Sequence, residues 1–320
     1  LSFNSYPMNS HDAIVAVGSL AFDSIQTPSG CVDSTLGGSV NHFSIAASFY
    51  APVKAVAVVG SDFPSDHLDW LARRRIDVSG VQRLEGKTFH WSGLYQNNLN
   101  EVQTLSTSLN VLEHFHPKLT QEACQSSYVF LGNLDPLVQL EVLKQVQNPR
   151  WVGCDSMNFW ITGKPEALKE TLRHVDLLSL NETEAFLISK KSHILSAARE
   201  IHAMGPSVVV IKRGEYGAML FVEGDIFVAS SYPIEHAVDP TGAGDSFAGA
   251  MMGYLASVGM DRSMKQHDRK QYFSFLKQSI VAGCVMASFT IEDFGCQRLM
   301  RLGSTELVDR REQFVRMLSI

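Results

Sequence analysis

The sequence predicts an α/β protein with a largely parallel central sheet, helices on both faces, and a small separate β-sheet. Three observations lead there. From Tyr128 to Ile211, short apolar β-rich runs alternate with helical stretches, the pattern of parallel strands covered on both sides. Residues 88–112 instead alternate Thr, Tyr, Trp, Val and Leu with polar residues, which fits paired strands better than a helix. The chain has 320 residues, 45% of them hydrophobic, enough for a sizeable core in one large α/β unit or two average domains.

In chain order, Ala13 to Val17 is a short apolar run ending at Gly18 and reads as a buried strand. Asp23 follows just past its carboxyl end, the edge where ligands of open α/β sheets gather, although a loop aspartate also serves as a turn or cap. Gly37-Gly38-Ser39 leads into a helix from Val40 to Phe49, with Asn41 and His42 in its first turn. A Gly-Gly pair there lets a ligand reach backbone directly.

Lys54 to Val59 forms a second strand, and Pro64 to Arg75 an exposed helix whose Arg73, Arg74 and Arg75 read as a solvated face. Ile76 to Val81 closes that unit. Residues 88–112 give two strands around a turn at 96–100, and with residues 23–36 they form the small sheet. His114 and His116 lack partner ligands at zinc spacing.

Further strands are expected at Tyr128 to Leu131, Trp151 to Cys154, Val175 to Leu180 and Val208 to Ile211. Asn133 and Asp155 fall just after two of them, as substrate-side groups or as turn residues. Asn181 and Glu184 have the Asn-x-x-Glu spacing of a capping box. Lys212 ends the next strand, short antiparallel strands run from Gly217 to Ala229, and a long helix extends from Asp268 to Phe289.

The stretch Asp239-Pro240-Thr241-Gly242-Ala243-Gly244-Asp245 carries the chemistry. Its small-residue turn opens a helix from Asp245 to about Leu255, whose first amides and dipole can hold a phosphate oxygen or a developing anion. Asp245 at the mouth of an anion site would repel the ligand unless it faces another group. A base removing a hydroxyl proton beside a phosphoryl group fits that placement.

This stretch resembles the signature of the ribokinase-like (PfkB-type) carbohydrate kinases, Asp-Thr-x-Gly-Ala-Gly-Asp, with Pro240 before rather than after the threonine. Four landmarks occur in the family's order: Asp23, Gly37-Gly38, Asn181 to Glu184, and Asp239 to Asp245. The resemblance implies a ribokinase-like fold over residues 11–320, with a small β lid from about 23–36 and 86–112. It implies an ATP-dependent kinase acting on a hydroxymethyl group of a sugar or nucleoside. Asp245 would be the base, and the amides of Gly242, Ala243 and Gly244 the anion hole.

By the same resemblance Asp23, Gly37, Gly38, Asn41, His42 and Asn133 would meet the substrate, with His42 standing where the family has Asn. Asn181, Lys212, Gly214, Gly217, Gly244 and Ser288 would border the nucleotide. Glu184 would act on Mg²⁺ through water, since Mg²⁺ keeps several waters, and Asp239 would shape a K⁺ site as in some relatives. The lid carries Phe89, His90, Trp91 and Tyr95, which would help choose the acceptor, and it would also offer a homodimer contact.

A net charge of −6 argues against a general nucleic-acid binder. Five widely spaced cysteines without a C-x-x-C pair fit a reduced cytoplasmic protein. No apolar run approaches the roughly 20 residues that span a bilayer, and no basic-then-apolar signal pattern opens the chain. The first ten residues, from Leu1 and including Met8 as an alternative start, are set aside from the fold. A nucleotide-binding regulatory protein without catalysis would keep the same landmarks, although an intact Asp245 speaks against it. A dinucleotide-dependent oxidoreductase ranks lower, because Gly18 is followed by Ser19-Leu20-Ala21 rather than a G-x-G-x-x-G turn.

Overall fold

The computed structural model describes residues 13–96 and 98–319. The first ten residues, residues 11 and 12 at the expected domain start, and Asn97 in the expected 96–100 turn lie outside the described residues.

Strand β1 (Ile14–Val17) is followed by β2 (Ala21–Thr27) and β3 (Gly30–Gly37), then by β4 (Val53–Val59) and β5 (Ile76–Arg83). Next come β6 (His90–Tyr95) and β7 (Val102–Ser108). The second half supplies β8 (Tyr128–Leu131), β9 (Trp151–Asp155), β10 (Leu177–Asn181), β11 (Val208–Lys212), β12 (Ala218–Val222) and β13 (Asp225–Ala229). Nine strands form the main sheet in the order β13-β12-β11-β10-β9-β8-β1-β4-β5, and four form the small sheet in the order β3-β2-β6-β7. From β5 to β11 every pairing is parallel, while β12 and β13 add an antiparallel edge.

The order explains where the site lies. From β1 the main sheet grows outward to β4 and β5 on one side, and from β8 outward to β13 on the other. The carboxyl ends of β1 and β8 therefore flank the point where strand order reverses, the crevice in which open α/β sheets bind ligands. Gly132, just past β8, donates its amide to the Val17 carbonyl at 2.8 Å, which draws the two ends together.

Both faces of the sheet are buried, so the strands read as near-continuous apolar runs. Ile14 and Ala16 join one core with the helices Ser39–Ser48, Ala243–Ser257 and Arg269–Thr290. Val15 and Val17 join the other, with Val142, Leu168, Ala185 and Ile201 from helices of the opposite layer. The helix Ser39–Ser48 lies so close to Ala243–Ser257 that a Cβ on Gly249 would stand 2.3 Å from the Phe43 carbonyl oxygen. Small residues at this contact thus set the height of the signature helix above the sheet.

Several expectations need correction. Asp23 is inside β2, not in a loop past β1, because the chain turns into the lid almost at once after Gly18. Ile76 to Val81 is part of a full edge strand paired in parallel with β4, its polar alternation reflecting one exposed face. The helix at 64–75 ends at Ala72, and Arg74 is not simply solvated: it stacks on Trp70 at 4.7 Å and donates to the Met300 carbonyl. The helix Arg269–Thr290 has the length and apolar composition to cross a membrane, against the expectation of no such apolar run. It packs along the signature helix, and 67% of its apolar window is buried in protein.

Candidate active site

The signature turn forms as its residue types require. Gly242 caps the helix Ala243–Ser257 with φ 75°, a left-handed conformation that glycine adopts without steric cost. No side chain caps this helix end, but the Ala243 amide already donates to the Pro240 carbonyl at 3.1 Å, so the anion-hole role expected of Gly242, Ala243 and Gly244 falls to the two glycine amides. Asp239 braces the turn, with one carboxylate oxygen accepting from the Thr241 amide at 2.8 Å and the other from the Gly295 amide at 2.9 Å.

Asp245, in the first helical turn, is only partly accessible. Burial, then the charge of Asp155, raises its pKa to about 7, against the pull of Lys212. A carboxyl group so tuned can accept a proton near neutral pH. Lys212, at the end of β11, donates from Nζ to Asp155 Oδ2 at 3.2 Å. Its ammonium is 3.0 Å from where a Cβ on Gly244 would lie, so Gly244 is the residue that lets the cation reach the helix start. Burial opposes the lysine's charge, but Asp155, Glu184 and Asp245 together hold its pKa above the ordinary value.

Glu184 and Asn181 make the predicted capping box in both directions, each bond 2.8 Å long. Burial and the nearby Asp155 raise the pKa of Glu184. One of its oxygens is taken by the Asn181 amide, which leaves the other for a ligand.

Asp23 approaches from the lid strand β2. Its pKa rises to about 7 through burial and the charge of Asp239, against a hydrogen bond from the Gly38 amide. A Cβ on Gly37 would stand 1.8 Å from Asp23 Oδ2, so the Gly-Gly pair makes room for this carboxylate. The lid also touches the signature directly, with Thr241 Oγ1 and the Tyr95 hydroxyl 3.2 Å apart. At the lid tip, Asn100 Oδ1 is 1.7 Å from the place of a Cβ on Gly214, so the tip rests on the loop after β11.

The structure thus gathers Asp23, Gly37, Gly38, His42, Asp239, Gly242, Ala243, Gly244, Asp245, Lys212 and Glu184 around one crevice. Other candidates are engaged elsewhere. Asn41 is fully buried and faces His67 and Cys296. Asn133 donates to Met157 Sδ while its buried Oδ1 has no partner. Ser288 is hydrogen-bonded to the Val285 carbonyl and to Arg310. Gly217 is required by its own loop, with φ 84° and the Ala229 carbonyl 2.1 Å from its Cβ position.

Asp155 also reaches this crevice through its pairing with Lys212. Its place at the same strand edge as Asn133 was the available signal, but its pairing with Lys212 spans 57 residues. Cys296 and His67 carried no local signal at all, because the residues they contact are distant in the chain.

A carboxylate, a lysine and a helix start without a side-chain cap meet in one crevice, an arrangement suited to phosphoryl transfer to an alcohol group. The chain matches the pfkB family carbohydrate kinases across residues 10–301, and it belongs to that family. It is 29% identical over 262 residues to a cytidine kinase of Thermococcus kodakarensis, covering 79% of this chain and 91% of that one. Two solved structures share the fold. A nucleoside kinase of Burkholderia thailandensis in complex with inosine superposes with a TM-score of 0.70 at 18% identity, covering 94% of this chain and 98% of the other. An E. coli protein assigned as ribokinase II, solved with ATP and Mg²⁺, has a TM-score of 0.71 at 17% identity, with coverages of 95% and 99%.

Proposed function

We propose that the protein transfers the γ-phosphoryl group of ATP to a hydroxymethyl group on a sugar ring, with Asp245 as general base. The observation that carries this reading is the Asp245 carboxyl, raised to about 7 and set in the first turn of a helix that no side chain caps. Asp245 takes the hydroxyl proton as the acceptor oxygen bonds to the γ-phosphorus and the bond to the β-γ bridging oxygen breaks. The amides of Gly242 and Gly244 and the Lys212 ammonium stabilise the charge in transfer. Asp23, at the end of the lid, orients acceptor hydroxyls.

The donor set fits Mg²⁺. This cation takes one or two carboxylates plus waters and phosphate oxygens rather than a full protein cage. Glu184 leaves one oxygen beyond its capping bond, and among the described residues no group of three His, Cys, Asp or Glu forms a closed metal site. Mg²⁺ held near Glu184 would neutralise phosphate charge; the protein's own residues position and deprotonate the acceptor.

A nucleoside is the second reading for the acceptor. The cytidine kinase, matched over most of its length, favours it. The test is ATP consumption with Mg²⁺ against pentoses, hexoses, sugar phosphates and nucleosides, by the wild type and Asp245→Asn. Loss of general base catalysis should lower turnover about 10²–10⁴-fold while the melting temperature barely moves. Full activity in Asp245→Asn would eliminate the mechanism. Nucleotide binding with no acceptor phosphorylated would support the non-catalytic regulatory reading.

A further inference from the structure

We propose that His42 is a positioning residue for the anion hole, its imidazole face forming the seat on which Gly242 rests. The inference builds on the kinase reading above. A Cβ on Gly242 would lie 2.4 Å from Cγ, Cδ2 and Cε1 of His42 alike. Equal distances to three ring atoms place that position over the flat of the ring, not at its edge. Gly242 is also held at φ 75°, so the turn presses its α-carbon onto the imidazole at the point where a side chain would otherwise begin.

The ring itself is fixed from below. His42 is 1% exposed, and its Nδ1 is 3.5 Å from Cys296 Sγ. Asn41 Nδ2 donates to the same sulfur at 3.2 Å, and Asn41 Oδ1 is 2.9 Å from His67 Nε2. Burial keeps the Cys296 thiol protonated, and Cys296 Sγ and His42 Nδ1 form a pair in which either atom can donate, according to the ring tautomer. Burial also pulls the His42 pKa down to about 4, so the ring is neutral and adds no charge beneath the anion hole. The chain His67, Asn41, Cys296, His42 therefore links three separate segments and ends at the first residue of the hole.

Two features separate a seat from ordinary packing. The side chain is polar and its buried Nε2 has no partner among the described residues, a cost that an apolar filler would avoid. The atom it supports also belongs to the group of amides that must meet the transferred phosphoryl group, where an error of about 1 Å costs on the order of 10²-fold in rate.

The kinetic test compares His42→Ala and His42→Phe with the wild type on the acceptor found above. The alanine variant should lose at least about tenfold in kcat with KM for ATP and acceptor nearly unchanged, and phenylalanine, which restores a flat face without nitrogens, should recover most of that loss. An unchanged kcat in His42→Ala overturns the proposal. So does a loss confined to acceptor KM, or one that phenylalanine does not recover, since either would make Nε2 a substrate contact.

A second arm needs no activity. Gly242→Ala should lower the melting midpoint by about 5 °C or more in the wild type, and by clearly less in the His42→Ala background, where the ring is gone. Equal shifts in the two backgrounds overturn the seat. If His42→Ala does not fold, His42→Leu replaces it in both arms, having similar volume but no flat face. A wild type that phosphorylates nothing defeats the kinase reading alone, because the melting cycle still decides the seat.

Discussion

Gly37 and Asp23 illustrate how single residues depend on one another here. Both were legible as candidates, but the reason for the glycine was not: it leaves space for a carboxylate two strands' length away in sequence. Because a Cβ there would stand 1.8 Å from Asp23 Oδ2, Gly37→Ala must displace that carboxylate. Turnover should fall about 10²-fold, with the loss concentrated in the acceptor-dependent terms, as steady-state kinetics at saturating ATP would reveal. The Asp155 and Lys212 pair teaches the converse. Each residue ends a strand and looks ordinary alone, and only their 3.2 Å contact shows that the lysine is aimed at the signature helix. Motif spacing could single out Asp245, since its helix, its turn and its carboxylate lie within one short stretch.

Elements were legible where a short segment sets its own geometry. The capping box at Asn181 and Glu184, the apolar parallel strands and the paired lid strands all follow from local pattern. Boundaries shifted where tertiary contact took over. The lid begins at Ala21 because β2 pairs with β3 and β6, and the edge strand β5 formed from a polar stretch because β4 offered it a partner. The contact between helices Ser39–Ser48 and Ala243–Ser257 carries a prediction at this scale. Gly249→Val would push the signature helix off the Phe43 carbonyl, and overpacking of this kind costs about 1–3 kcal/mol. Chemical denaturation should register that loss, accompanied by lower kcat because the anion hole moves with its helix.

Across the whole molecule, the crevice concentrates buried acids, and this has a pH signature in the ligand-free protein. Asp23 and Asp245 have folded pKa values of about 7 against a model-peptide 3.8, so the native state binds more protons than the unfolded chain between those values. Their contribution to stability is complete below about pH 4 and disappears as pH rises through 7. His42 and His67, lowered from 6.5 to about 4, act in the opposite sense, losing stability as pH falls from 6.5 toward 4. Between pH 6.5 and 8 the raised carboxyls, Glu184 among them, outweigh the two histidines, which are already half deprotonated in the unfolded chain at pH 6.5, so the melting temperature should fall as pH rises across that window. Asp23→Asn should flatten the slope, and a slope unchanged by that substitution would show that Asp23 is already ionised at neutral pH.

The sequence by itself determined the fold class, the strand-helix alternation and the chemical identity of the signature, because each is written in residues that are neighbours in the chain. It placed Asp245 at a helix start and the lid in paired strands for the same reason. Only the tertiary structure decided what surrounds them: the Lys212 to Asp155 ion pair, the Asp239 brace to Gly295, and the buried chain from His67 to the His42 ring under Gly242. Those contacts join residues 26 to 255 positions apart. Their energies depend on distance and burial, which no local pattern encodes and which appear only when the sheet brings its strand ends to one edge.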